Sequence, residues 1–211
     1  MGNIDELISK LAQDAPAARP APHPVALSMV WIAAAAVYLG MALMISGLRP
    51  DLPLQLQRPW FIAEIVALAG ILASASLSAA LLSFPDLHQM RKAALTPLVL
   101  FAVFLLLMLF SWHADNPPAP LPVHSFECTL SIILVALLPA AGMLYAMRRF
   151  ASTHYHWAGA IALIFAFSIG ALWLRLHEIN DSIMHVIEWH YLPMIGFGIV
   201  GLWLGKVILK W

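Results

Sequence analysis

Potential ligands gather in two stretches of this 211-residue chain. One supplies His113, Asp115, His124, Glu127 and Cys128; the other supplies His177, Glu178, Asp181, His185, Glu188 and His190. Imidazole, carboxylate and thiolate together are zinc-type ligands. If 177–188 is helical, His177, Asp181, His185 and Glu188 fall at 0, 4, 8 and 11, along one face. That set leaves zinc or another divalent metal open as a cofactor. An outer-face metal-dependent hydrolase would need three such ligands, a free coordination position and a base. Several histidines at one interface also allow a pH response, because they titrate near neutrality. No HExxH and no paired CxxC occurs, so ordinary hydrogen bonding and ion pairing at a loop rim weighs against all of these. A small transporter is another alternative; a haem-binding electron carrier would place histidines well inside facing spans, whereas these sit at span ends. Cys128 is the single cysteine, which excludes a disulfide within one chain.

The elements that must position these groups are apolar. Hydrophobic residues make up 62% of the chain and charged residues 10%, against about a quarter charged in an ordinary globular domain. A helical crossing of a bilayer takes roughly 20 apolar residues. Six stretches approach that length, about 24–47, 59–83, 95–112, 127–147, 157–177 and 191–209. The expectation is an all-α, polytopic membrane protein: a six-helix transmembrane domain over 24–211 after an N-terminal segment, 1–23. With the N-terminus inside, short inner segments hold Lys10, Arg19, Arg91, Lys92, Arg148, Arg149, Lys206 and Lys210, and outer ones hold Arg49, Arg58 and Arg175. That asymmetry places both termini in the cytoplasm and both ligand stretches outside. The net charge of zero gives no field that would draw nucleic acid.

Glu64 lies within the second span, and an ionisable group at that depth needs a partner. Arg58, Arg175 or a histidine would serve, although Arg175 could instead snorkel to the headgroups. Met29, Met41 and Met44 read as packing residues. Gly40, Gly47, Gly196, Gly198, Gly201 and Gly205 read as close helix contacts, and the GxxxG spacing of Gly201 and Gly205 leaves a homodimer open.

The N-terminal segment has its own pattern. Ile4, Leu7, Ile8 and Leu11 follow i, i+3, i+4, i+7, one apolar stripe of a helix. Asn3 is a fair N-cap, with Glu6 placed to complete a capping box. A Pro/Ala tether, APAARPAPHP, follows Asp14. A helix this short is marginal alone. It has only Lys10 on its polar face, unlike the basic face of a lipid-binding helix. Packing on the bundle or membrane and docking into a partner's groove are both open.

Five motifs occur in order: IDELISKLAQDAP, LRPDL, RPWFIAEI, HSFECTLSI and DSIMHVIEWHYLP, with LGKVILKW at the end. Together they resemble the NrsF-like family, inner-membrane negative regulators of a sigma factor. The resemblance implies a membrane-bound anti-sigma factor rather than an enzyme, holding an extracytoplasmic-function sigma factor until a stress signal releases it. It maps the sigma-binding segment onto Ile4 to Asp14, the family's outer cysteine onto Cys128, and a Trp-His pair onto Trp189 and His190. Similar members carry a second cysteine just before the DS motif. Here that stretch reads LRLHEINDS, with His177 and Glu178 in the neighbourhood.

Overall fold

The computed structural model describes residues 2–14, 22–85, 90–114, 126–150 and 152–210. Asp115, His124 and most of the tether lie outside them, as do the side chains of Asp14 and His113. Among the described residues the fold is entirely helical: α1 Gly2–Asp14, α2 Pro24–Ser46, α3 Leu52–Gln55, α4 Pro59–Leu82, α5 Arg91–Ala94, α6 Thr96–Ala114, α7 Phe126–Met147, α8 Tyr155–His177, α9 Ile183–His185 and α10 Leu192–Ile208. A π-helical turn, Val186–Tyr191, joins α9 to α10.

Among the described residues, five helical stretches are long and apolar enough to cross a bilayer: α2, α4, α7, α8 and the continuous run Ile183–Ile208. The third expected span falls on α6, whose apolar part, Thr96–Phe110, is shorter. The last stretch begins at Ile183, earlier than the expected 191, because the π turn continues the helix through a polar sequence. Local chemistry sets several of these ends. The His23 side chain accepts from Val25 N, and Pro24 opens α2 with a fixed φ. Gly47, at φ 83°, ends α2 in the left-handed region that a side chain would strain. α1 starts at Gly2, so Asn3 lies inside its first turn rather than at its cap.

α8 is the centre of the bundle. Ala158 through Leu172 is buried without a break, and α8 packs against α2, α4, α7 and α10. A helix that is apolar all round belongs inside. The outer helices reverse the pattern of a water-soluble protein. Ile45, Met44, Phe110, Leu138 and Trp203 are exposed, a surface suited to lipid tails. Met29, Met41 and Met44 all lie on this exposed surface, not in the core.

Lipid-facing helices gain little from apolar contact with one another, so close packing and interhelical hydrogen bonds hold them. Tyr38 OH donates to Val135 O at 2.8 Å, Trp173 Nε1 to Ser46 Oγ at 2.9 Å, and Ser28 Oγ to Ser76 Oγ at 3.1 Å. The GxxxG pair is spent inside the chain: Gly201 and Gly205 lie directly against Tyr155, Gly159 and Ala160 of α8. Gly40, Gly47 and Gly196, expected at contacts, have open space where a side chain would go.

Gly201→Val should therefore lower the thermal midpoint of the detergent-solubilised protein. A Cβ there would lie 2.6 Å from Gly159 O and from Ala160 Cα, backbone atoms that cannot rotate away; overpacking of this kind costs about 1–3 kcal/mol or more. Gly40→Ala, with nothing in its way, should leave the midpoint unchanged or raise it slightly. Tryptophan fluorescence on heating reads both.

Candidate functional site

The charged end of the bundle is where α2, α8 and the 178–182 connection meet the starts of α4 and α7. Arg175, in the last turn of α8, is buried. Its Nε donates to Glu64 Oε1 at 2.7 Å, and its NH1 donates to Asp181 Oδ1 at 2.7 Å. Tyr191 OH donates to the same Glu64 oxygen. Glu64 thus takes Arg175 as its partner from among the expected candidates; Arg58 is exposed. Arg175 points into the bundle and does not snorkel.

A second guanidinium completes the network. Arg49 follows α2 and is the largest fully buried side chain among those described. It reaches both oxygens of Asp51 at 2.8 and 2.9 Å, and both oxygens of Asp181 at 2.9 Å. Gln55, at the end of α3, donates to Asp51 and Asp181. Both guanidinium groups lie over the Phe61 ring, at 5.5 and 5.0 Å. In the sequence Arg49 reads as an outer-loop charge. The clue was present in LRPDL and RPWFIAEI, which carry Arg49, Asp51, Phe61 and Glu64.

Beside this network Cys128, Glu178, His185 and His190 converge, each offering one ligand atom within 4.8 Å of the others. Cys128 Sγ lies 3.3 Å from Glu178 Oε2 and 3.6 Å from His185 Nε2. His190 Nε2 lies 3.2 Å from His185 Nε2 and 3.8 Å from Glu178 Oε2. Four of the seven expected sensory residues therefore meet, and three do not. His177 stacks on Trp173 and bonds Gly47 O through Nδ1. Asp181 belongs to the arginines, and Glu188 is exposed.

The expected single helical face over 177–188 is absent because the helix stops at His177 and resumes at Ile183. The π turn makes a different alignment. In an α-helix, residues five apart point about 140° away from each other. The wider π turn reduces that divergence, and the His185 and His190 rings, five positions apart, lie 4.9 Å from each other between centroids.

The two clusters share their supports. The 178–182 connection carries Glu178 into one cluster and Asp181 into the other. The π turn carries His190 and, next to it, Tyr191. Thr129 Oγ1, one residue from Cys128, donates to Trp189 O at 2.6 Å. A pocket of about 630 Å³, lined by Cys128, Glu178, His177 and Glu127 among others, opens onto the thiol. His190 is fully buried, and its Nδ1 has no hydrogen-bond partner among the described residues. An unsatisfied buried polar atom costs about 1–3 kcal/mol, so this cluster is not arranged for stability alone. Thiol, carboxylate and two imidazoles can together bind a borderline metal.

Removing one partner from a buried ion pair costs about 3–5 kcal/mol, because the other charge is left uncompensated. Arg175→Ala should therefore lower the thermal midpoint far more than Arg58→Ala. The network also has a pH sense. Burial pushes Asp181 up, but hydrogen bonds from Arg49 and Arg175 outweigh it and hold the carboxyl below its ordinary 3.8. Hydrogen bonds from Arg49 and Gln55 hold Asp51 well below the same value. An unfolded chain takes up these protons near 3.8, and the folded one only at lower pH. The stabilisation is therefore complete above that value and is lost as pH falls through and below it. A series of melts from pH 6 to pH 3 should show the fall, and Asp51→Asn should be less stable at pH 6 but lose less on acidification.

Residues 11–211 match the family described as NrsF, negative regulator of sigma F. Comparison with curated proteins and with solved structures finds no match.

Proposed function

This chain belongs to the NrsF family, negative regulators of sigma F, and from that premise we propose a membrane-bound anti-sigma factor that captures its sigma factor with α1. The observation that carries the reading is the uncovered stripe: Ile4, Leu7, Ile8 and Leu11 are each more than half exposed. The family match begins at Leu11, so the earlier part of the stripe rests on this chain's own geometry. An amphipathic helix whose apolar face meets nothing is a ligand for a groove. The segment Ile4 to Asp14 docks on a sigma factor of the extracytoplasmic-function type and masks surface needed for polymerase. The connection after Asp14 sets its reach from the membrane.

The rest of the chain is the anchor and sensor. α6 makes the sixth crossing, so both termini lie in the cytoplasm of a bacterial cell, as the Lys/Arg asymmetry supports. The clusters around Cys128 and Arg175 then face outward, across the inner membrane from α1. A stress signal at that face shifts the bundle between two packings, and the sigma factor is released. Such a signal must bind the two packings unequally, or nothing moves.

With sigma factor co-expressed, the full chain should hold it in the membrane fraction. Leu7→Asp and Leu11→Asp should each release it to the soluble fraction, because an unpaired carboxylate cannot enter an apolar groove cheaply. A reporter under sigma control should rise in both variants. Retention equal to the parent in both would remove α1 as the docking element. Labelling a cysteine placed at Lys10, in a Cys128→Ser background, should fail on intact cells and succeed after permeabilisation.

A further inference from the structure

We propose that Cys128, Glu178, His185 and His190 form a closed four-ligand site for one zinc-type divalent cation, tying the start of α7 to the 178–191 segment. The proposal deepens the reading of the outer face as the sensing end. It rests on that reading for its regulatory consequence and on geometry alone for the binding.

Zinc holds sulfur at about 2.3 Å, imidazole nitrogen at about 2.0–2.1 Å and carboxylate oxygen at about 2.0–2.2 Å, in a tetrahedron. Ligands on the corners of such a tetrahedron stand roughly 3.3–3.6 Å from one another, as those bond lengths require. All six ligand pairs lie within 4.8 Å; four of them are separated by 3.2 Å for His185 Nε2 to His190 Nε2, 3.3 Å for Cys128 Sγ to Glu178 Oε2, 3.6 Å for Cys128 Sγ to His185 Nε2 and 3.8 Å for His190 Nε2 to Glu178 Oε2. Each of these four lies within a few tenths of an ångström of a tetrahedral edge. The four atoms reach this arrangement from three separate segments: Cys128 from α7, Glu178 from the connection after α8, and the imidazoles from the end of α9 and the π turn that continues it.

The ligand types select the ion. Calcium takes six to eight oxygens and magnesium keeps several waters, whereas thiolate with imidazole suits zinc. Charge points the same way. Thiolate and carboxylate carry two negative charges, which a divalent cation cancels, so the filled site is neutral as a half-buried site beside lipid requires. Loading is balanced by the thiol: the metal–sulfur bond forms as the Cys128 proton leaves to solvent. The 630 Å³ pocket bordered by Cys128 and Glu178 is the way in. Four protein ligands leave no position for a substrate water, so this site is a clamp or sensor and not a hydrolytic centre.

The consequence follows from the shared supports. Metal at this point holds Glu178 and His190, and with them the segments that carry Asp181 and Tyr191 to the arginine network. Loading or loss of the ion changes the tension on both clusters together.

The test is cobalt titration of the full chain in detergent or nanodiscs. Saturation at one ion per chain is expected, with the intense visible bands of tetrahedral cobalt, a near-ultraviolet sulfur-to-cobalt band and release of about one proton. Zinc should bleach the spectrum. Cys128→Ser, nearly isosteric, should abolish the sulfur band; it and His185→Gln should each weaken zinc binding by more than about tenfold. His177→Ala, outside the cluster, should change neither, and thermal melts check that each variant is folded. The site is overturned if the parent shows no saturable spectrum, if folded Cys128→Ser keeps the sulfur band, or if His177→Ala weakens zinc as much as His185→Gln. Sigma retention is measured separately. A chain that holds sigma but no cobalt loses only this site, and one that binds cobalt but not sigma loses only the anti-sigma reading.

Discussion

Everything at the charged end depends on one electrostatic constraint: the Arg175 guanidinium and the Glu64 carboxylate are buried among apolar helices and must neutralise each other. Neither can be placed there alone without a penalty of several kcal/mol. Their pairing fixes the end of α8 against the start of α4. Asp181 then serves Arg175 and Arg49 at once, which brings the connection after α8 back over the bundle and holds the end of α2 beneath it. Tyr191 adds its hydroxyl to Glu64, and so sets the rotation of the last helix. Packing alone would let these helices slide; the shared carboxylates set their register.

The second cluster is built on the same scaffold. Once Tyr191 is held, its neighbour His190 is carried inward by the π turn. Once Asp181 is held, Glu178 stands where α8 ends, facing the Cys128 thiol. The thiol faces a carboxylate and an imidazole, Glu178 and His185. At the other extreme of the chain, α1 shows an apolar face that none of the described residues covers.

The fold was largely legible. Apolar runs of the right length, broken by Pro, Gly and paired charges, mark α2, α4, α7 and α8 within a residue or two, because the hydrocarbon requirement acts on composition. The stripe of Ile4, Leu7, Ile8 and Leu11 announced α1 by period alone. The site was only partly legible. The sequence offers Cys128, Glu178, His185 and His190, but equally His177, Asp181 and Glu188, which lie elsewhere. A shared face for His177, Asp181, His185 and Glu188 requires α-helical phase across 177–188, and that condition is not met. The chain breaks at 178–182, where Asp181 is drawn to two arginines, and then winds as a π helix; neither event has a local sequence signature. The burial of Arg49 is hidden for a related reason. Its sequence neighbours look like a solvent-exposed turn, and its burial depends on Asp181, 132 positions away.

By itself the sequence determined that this is a chain of apolar helices with an amphipathic N-terminal segment, since composition and period follow from where each residue can be solvated. It also supplied the inventory of ligands and charges. Only the tertiary structure decided which ligand meets which. That choice depends on long-range charge pairing and on the phase of one irregular turn, and both are properties of the packed bundle rather than of any segment within it.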